Sequence, residues 1–226
     1  MEDVQIYLQP TQFIDSDSPQ VIEFAQSSLQ GARTDIDQAI RLYYAVRDGI
    51  RYDPYHISFA PEALKASAVL ARKTGFCVEK AILLAAGARA VGIASRLGFA
   101  NVRNHLTTER LRRMIQTDVF VFHGYTELFL DNKWVKATPV FNLSLCQRFG
   151  VKPLEFDGRN DSLFHPFDSE GKRHMEYIYD HGQFADLPYG KMVSELKRHY
   201  PQLFGEEGAA INGSFEEEAL EERGKA

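Results

Sequence analysis

Apolar positions in the first third of the chain recur three and four residues apart, the spacing of amphipathic helices. Residues 4–14 come first and read as an edge strand. Ser18-Pro19, a cap followed by proline at the first helical position, opens a helix that closes near Gly31. Thr34-Asp35-Ile36-Asp37 begins a second in the manner of a capping box, and Ile36, Ile40, Tyr43 and Tyr44 form its apolar stripe up to Gly49. A third is predicted from Pro61 to Ala71. From Cys77 to Val91 the residues are almost all Ala, Leu, Ile and Val, with Gly92 as C-cap, which predicts a helix buried on every side. The period then changes to two. Ile93 to Ala100 reads as a strand, and residues 101–118 as a polar excursion with a short basic helix. Val119–Leu130 and Lys133–Val140 form a hairpin around Asp131-Asn132. A loop-rich stretch over 150–188 holds a strand at Met175–Tyr179, and Tyr189–Tyr200 is a last amphipathic helix. Helices first and an antiparallel sheet afterwards define an α+β fold.

Composition narrows the class. With 44% hydrophobic and 25% charged residues the chain has the means to fold as a globular protein. Its longest strongly apolar run, Ala81–Ala86, is far too short to span a bilayer, so a soluble protein is expected. The net charge of −5 resides in residues 206–226, where seven glutamates face only Arg223 and Lys225. That stretch is expected to be a flexible acidic tail behind a single domain over 1–205, and the balanced remainder offers no field for nucleic acid or an anionic membrane. Arg103, His105, Arg110, Arg112 and Arg113 make a local basic cluster, read as a solvated face partly neutralised by Glu109 and Asp118. Two cysteines and an acidic N-terminus suggest a reducing cytoplasm. The histidines show no metal-ligand spacing, and neither HExxH nor CxxC occurs, so no metal or cofactor is expected.

Two residues carry candidate chemistry. Cys77 falls on the first turn of the buried helix, where unpaired amides and the helix dipole favour thiolate. His123 lies within an apolar strand, where a polar ring needs partners. With a two-residue turn at Asp131-Asn132, paired positions sum to 263: Tyr125 faces Thr138, His123 faces Val140, and both Thr138 and Asn142 lie diagonal to His123. Taken alone, an inert buried thiol and a half-buried histidine bonded to a backbone carbonyl explain these residues too. Cys146 reads as such an inert thiol.

Gly75-x-Cys77-x-x-Lys80-Ala81, continued by Leu84-x-Ala86-x-x-Arg89-Ala90-x-Gly92-Ile93-x-x-Arg96, resembles the cysteine-helix segment of the transglutaminase-like superfamily. His123-x-x-x-Glu127 followed by Trp134-Val135 resembles its histidine segment, and Ile50-Arg51-Tyr52 its tyrosine-containing approach to the site. The resemblance covers residues 40–142 and leaves 150–205 as an elaboration. It implies a papain-like core, a central cysteine helix packed on an antiparallel sheet, with Cys77 as nucleophile and His123 as general base and acid. Thr138 stands where the family has an aspartate; it can orient an imidazole but supplies no charge. Asn142 is the alternative, as in Cys-His-Asn sites. The Cys77 amide and the Tyr52 phenol, with Tyr55 behind it, are the expected oxyanion donors.

These residues imply a cysteine-dependent enzyme that attacks an amide or peptide bond in a peptide or protein substrate through a Cys77 thioester, resolved by water or by an amine. A catalytically degenerate module that binds peptide or protein is the alternative, supported by Thr138. An arylamine acyltransferase-like enzyme is a further one, from the faint likeness of Gly75-Phe76-Cys77-Val78-Glu79 to that family's cysteine motif.

Overall fold

The computed structural model describes residues 4–104, 107–163, 175–204 and 213–223. Its centre is α4 (Cys77–Ala90), in which Val78 through Arg89 are all buried. Two helices, α1 (Pro19–Ser28) and α2 (Asp35–Gly49), pack against it, together with the shorter α3 (Ala66–Arg72). The other side of α4 is covered by a four-stranded antiparallel sheet in the order β5-β4-β3-β6, formed by β3 (Ser95–Asn104), β4 (Val119–Leu130), β5 (Lys133–Ala137) and β6 (Met175–Phe184). A cysteine helix between helices and an antiparallel sheet is the α+β core expected from the pattern.

Local chemistry explains the elements. At the start of α2, Thr34 Oγ1 accepts the Asp37 N–H at 3.1 Å while Asp37 accepts the Thr34 N–H at 3.2 Å, a complete capping box. Asp131 and Asn132 sit at φ 47° and 62°, the left-handed geometry that a two-residue hairpin turn requires. The ladder from Leu130↔Lys133 to Thr126↔Ala137 therefore has the predicted register.

Several boundaries differ from expectation. Residues 4–14 form no strand: Val4–Leu8 is a 3₁₀ helix, Tyr7 stacks edge-on against Trp134 at 5.1 Å, and Phe13 and Ile14 enter the core. The Pro61–Ala71 helix is two pieces, because Lys65 is extended (ψ 144°) and the second piece starts on tertiary bonds, Ala66 N–H to the Phe13 carbonyl and Ser67 N–H to Asp15. Strand β3 runs on to Asn104, so the basic helix is confined to α5 (Glu109–Ile115). Strand β5 stops at Ala137, two residues before Pro139, which has no N–H to give a ladder. Two helices were not expected. One, α6 (Leu143–Phe149), contains Cys146; the other, α8 (Phe215–Arg223), lies in the acidic stretch and packs against α6. Phe215 is buried against Tyr52, Tyr55 and Phe149, and Glu216 and Glu218 pair with Arg148 and Arg110, so residues 215–223 are docked rather than free. No helix among the described residues is long and apolar enough to cross a membrane.

Buried charges tie the layers together. Lys80 Nζ donates to the carbonyls of Arg47 (2.9 Å) and Ile50 (2.6 Å), capping the C-terminal end of α2. Arg89 donates to the carbonyls of Gln9, Ser95 and Ala185, joining the N-terminal segment to the start of β3 and the end of β6. Arg96 pairs with Glu127 across β3 and β4 at 2.6 Å and lies 4.1 Å over the Trp134 ring. Lys80, Arg89, Arg96, Glu127 and Trp134 all belong to the segments that carried the family resemblance, and each is occupied in holding the core.

Candidate active site

The chain enters α4 through a short parallel pair, β1 (Arg51–Tyr52) with β2 (Thr74–Gly75), in register Arg51↔Thr74 and Tyr52↔Gly75. Tyr52 is thereby delivered beside the segment that ends at Cys77. The next three residues turn into the helix, and Glu79 caps the turn by accepting the Phe76 N–H at 3.1 Å while pairing with Arg72 at 2.6 Å. A Cβ on residue 75 would come within 3.1 Å of that carboxylate, which is why glycine stands there.

From the sheet side, Thr126 Oγ1 donates to the Ala81 carbonyl at 2.8 Å, and a Cβ on Gly124 would fall 3.0 Å from Val78 Cα. Strand β4 and the first turn of α4 thus touch backbone to backbone at His123-Gly124. The Gly124 and Val78 amides lie close enough to the Cys77 thiol to pull its pKa down. Cys77, His123 and Tyr52 line one cavity of about 70 Å³, otherwise walled by apolar side chains from the 54–59 loop, the start of α4, α5, β4, and α7 (Tyr189–His199) with its C-terminal extension.

Just before His123 the strand is irregular. Phe122 has φ 61°, rare for a bulky residue, and the β3–β4 register shifts between Ala100 and Val102. The Asn101 side-chain carbonyl accepts both the Phe122 N–H (3.1 Å) and the His181 ring Nε2 (2.7 Å), while the His181 ring stacks on Phe122 at 4.5 Å. This bulge interrupts the regular alternation of the strand just before His123, and Val121, Phe122 and His123 all reach the cavity wall. Tyr200 pins the start of the same strand: its hydroxyl donates to the Val119 carbonyl (2.6 Å) and accepts the Val121 N–H (2.7 Å).

The electrostatics differ from those expected of a thiol at a helix N-terminus. Burial pushes the Cys77 thiol up to about 11, outweighing the Gly124 and Val78 amides that pull it down. Burial alone pushes His123 down to about 4. The resting pair is therefore thiol and imidazole, both neutral. The Tyr52 phenol is raised well above its ordinary value by burial first and then by the nearby Cys77.

The remaining predicted positions fall as follows. Thr138 is buried directly after β5; its carbonyl accepts from Tyr43 at 3.3 Å, and its hydroxyl has no hydrogen-bond partner among the described residues. Asn142 accepts the Tyr52 N–H at 3.1 Å and donates to Ser144 Oγ at 2.6 Å, so its amide holds the Tyr52 strand. Tyr55 turns away from the cavity to Thr108 and Glu218. In the basic cluster Arg103 meets Asp118 and Glu176, Arg110 meets Glu218 and Arg113 meets Glu109, while His105 lies outside the described residues. No group of three potential metal ligands occurs among the described residues. Sequence reasoning missed Gly124, Asn101, His181 and Tyr200. Only Gly124, a glycine immediately after the strand histidine, carried a local signal.

A helix-borne cysteine set against a strand histidine on an antiparallel sheet defines the papain-like class of cysteine–histidine folds. The chain belongs to the transglutaminase-like superfamily, whose core profile matches residues 22–139, just over half its length. No curated protein matches it closely enough to count as a relative. Among solved structures it is similar to a candidate cysteine protease from Cytophaga hutchinsonii, with 13% identity, a TM-score of 0.49, and coverage of 81% of this chain and 55% of that one. A candidate protease from Parabacteroides distasonis shares 16% identity with a TM-score of 0.38, over 56% of this chain and 26% of that one. The chain thus spans about half the length of the first and a quarter of the second.

Proposed function

We propose that this chain is a cysteine-dependent enzyme that cleaves an amide or peptide bond through an acyl thioester on Cys77. One observation carries the reading: the Cys77 thiol and the His123 ring line one cavity, where strand β4 meets the first turn of α4 at Gly124 and Val78. Membership of the transglutaminase-like superfamily supports it at the level of a cysteine-dependent enzyme.

The steps balance without a cofactor. His123 takes the thiol proton as sulfur bonds to the substrate carbonyl carbon, and charge develops on the carbonyl oxygen beside backbone amides and the Tyr52 phenol. The C–N bond breaks, and the imidazolium returns the proton to the leaving amine. Water then adds to the thioester, its proton passes to His123, and the C–S bond breaks to release acid and restore the thiol. A primary amine in place of water gives transamidation; water needs no second binding site and is the acceptor proposed.

Because both groups are neutral at rest, forming the ion pair is part of the barrier, and no carboxylate offsets it at Thr138. That favours a second reading, a non-catalytic module that binds peptide. The two separate with p-nitrophenyl acetate. Acetylation of Cys77 seen by intact mass, absent in Cys77→Ala and slowed at least 100-fold in His123→Gln, supports the enzyme; partition of the acyl group between water and added glycine ethyl ester then identifies the acceptor. An unmodified Cys77 under conditions that acetylate a small free thiol supports the binding module.

A further inference from the structure

We propose that the acyl group carried by Cys77 is short and aliphatic, about the size of a valine or leucine side chain; this rests on the thioester reading above. The cavity at the thiol measures about 70 Å³. A cavity of about 150 Å³ lined by apolar side chains accepts benzene, so this one suits three or four carbons better than a phenyl ring.

Its lining decides the chemistry. Ile57, Leu111, Met114, Phe120, Leu196 and Leu203 supply the walls, and among the described residues no lysine, arginine, aspartate or glutamate faces it. The Tyr200 hydroxyl is already spent on the backbone of Val119 and Val121. Beyond the thiol, imidazole and Tyr52 phenol, no polar side chain among the described residues is left to receive a carboxamide or carboxylate on the acyl chain. A polar group that enters such a pocket without a partner loses affinity by about tenfold to a hundredfold, and a charged one by more. The aliphatic chain loses nothing and gains burial.

The test uses the full chain and p-nitrophenyl esters of acetic, isovaleric, benzoic and succinic acids. Cys77 acylation rates are read by intact mass, each normalised to the same ester's rate with N-acetylcysteine. The expected order is isovaleryl above acetyl, with benzoyl and succinyl at least tenfold below isovaleryl. In Ile57→Lys, a half-buried wall position outside the reacting groups, the succinyl rate should rise at least tenfold relative to isovaleryl. Equal normalised rates for the four esters, or a preference for benzoyl or succinyl, overturn the aliphatic assignment while Cys77 acylation stands. Absence of a Cys77 adduct with all four overturns the thioester reading and the substrate class with it.

Discussion

Gly124→Ala tests the contact that brings the two reacting residues together. The added methyl would lie 3.0 Å from Val78 Cα and 3.4 Å from both Phe99 Cε1 and Val78 Cγ2. Val78 Cα is backbone in the first turn of a buried helix and has no rotamer to escape into, so β4 and α4 must separate by a few tenths of an ångström. Overpacking of this kind costs about 1–3 kcal/mol, and the reduced freedom of the unfolded chain returns about 0.5 kcal/mol or more. The net loss expected is about 1–2 kcal/mol, seen as a fall in Tm of about 3–6 °C for a chain of this size. The separation also draws the Gly124 N–H from the sulfur, so alkylation of Cys77 should slow. Gly49→Ala is the control: it closes α2 with nothing within 4 Å, and alanine there should match or exceed wild-type stability. Urea unfolding of the three proteins gives both numbers. Wild-type stability and thiol reactivity in Gly124→Ala would mean that strand and helix are not in contact at the site, and the positioning of His123 argued here would fail.

Other consequences follow from buried groups. His123 is held near pKa 4 in the fold against 6.5 when free, so the unfolded chain binds more protons between those values and stability falls as pH drops through that window. Relative to His123→Gln, wild type should lose about 3 kcal/mol between pH 7 and pH 4. The comparison must be a difference, because Glu79, pushed up to about 7 by burial, favours the fold as pH falls; parallel stability curves for the two proteins would contradict the burial of the imidazole. Arg96→Met leaves Glu127 buried without its partner and should cost about 3 kcal/mol in urea unfolding, partly restored by adding Glu127→Gln. Its Cys77 acylation rate should stay near wild type, since the pair holds the outer face of the sheet. Phe215→Ala removes the anchor of α8 and should speed hydrogen exchange over 215–223 at least tenfold while leaving α4 protected; unchanged exchange would mean that the helix is held otherwise.

Much of the core was legible because its signals are local. The all-apolar run after Cys77 has no stable place except a centre, and Asp131-Asn132 tolerates the left-handed turn that sets the 263 pairing. The hidden parts depend on distant partners. Phe122 in the left-handed region runs against its own propensity and is held by Asn101 and His181 from neighbouring strands. A helix N-terminus predicts an acidic thiol, yet α5 and the segment after α7 roof the cavity and burial outweighs the dipole. The glutamates of 206–226 read as solvated charge, while only Phe215 and Ala219, one turn apart, mark a face that docks. Asn142 shows its role only once β1 has arrived beside it, with Tyr52.

If Cys77 and His123 act as one unit, the pH dependence of iodoacetamide alkylation at Cys77 must carry the signature of the imidazole. The rate should rise through a midpoint near pH 4 as the imidazole becomes able to take the thiol proton, hold a shoulder across neutral pH, and climb again toward pH 11 as the thiol itself ionises. His123→Gln should erase the shoulder and leave only the alkaline rise. An identical profile in wild type and His123→Gln would show that the imidazole does not receive the proton of this thiol.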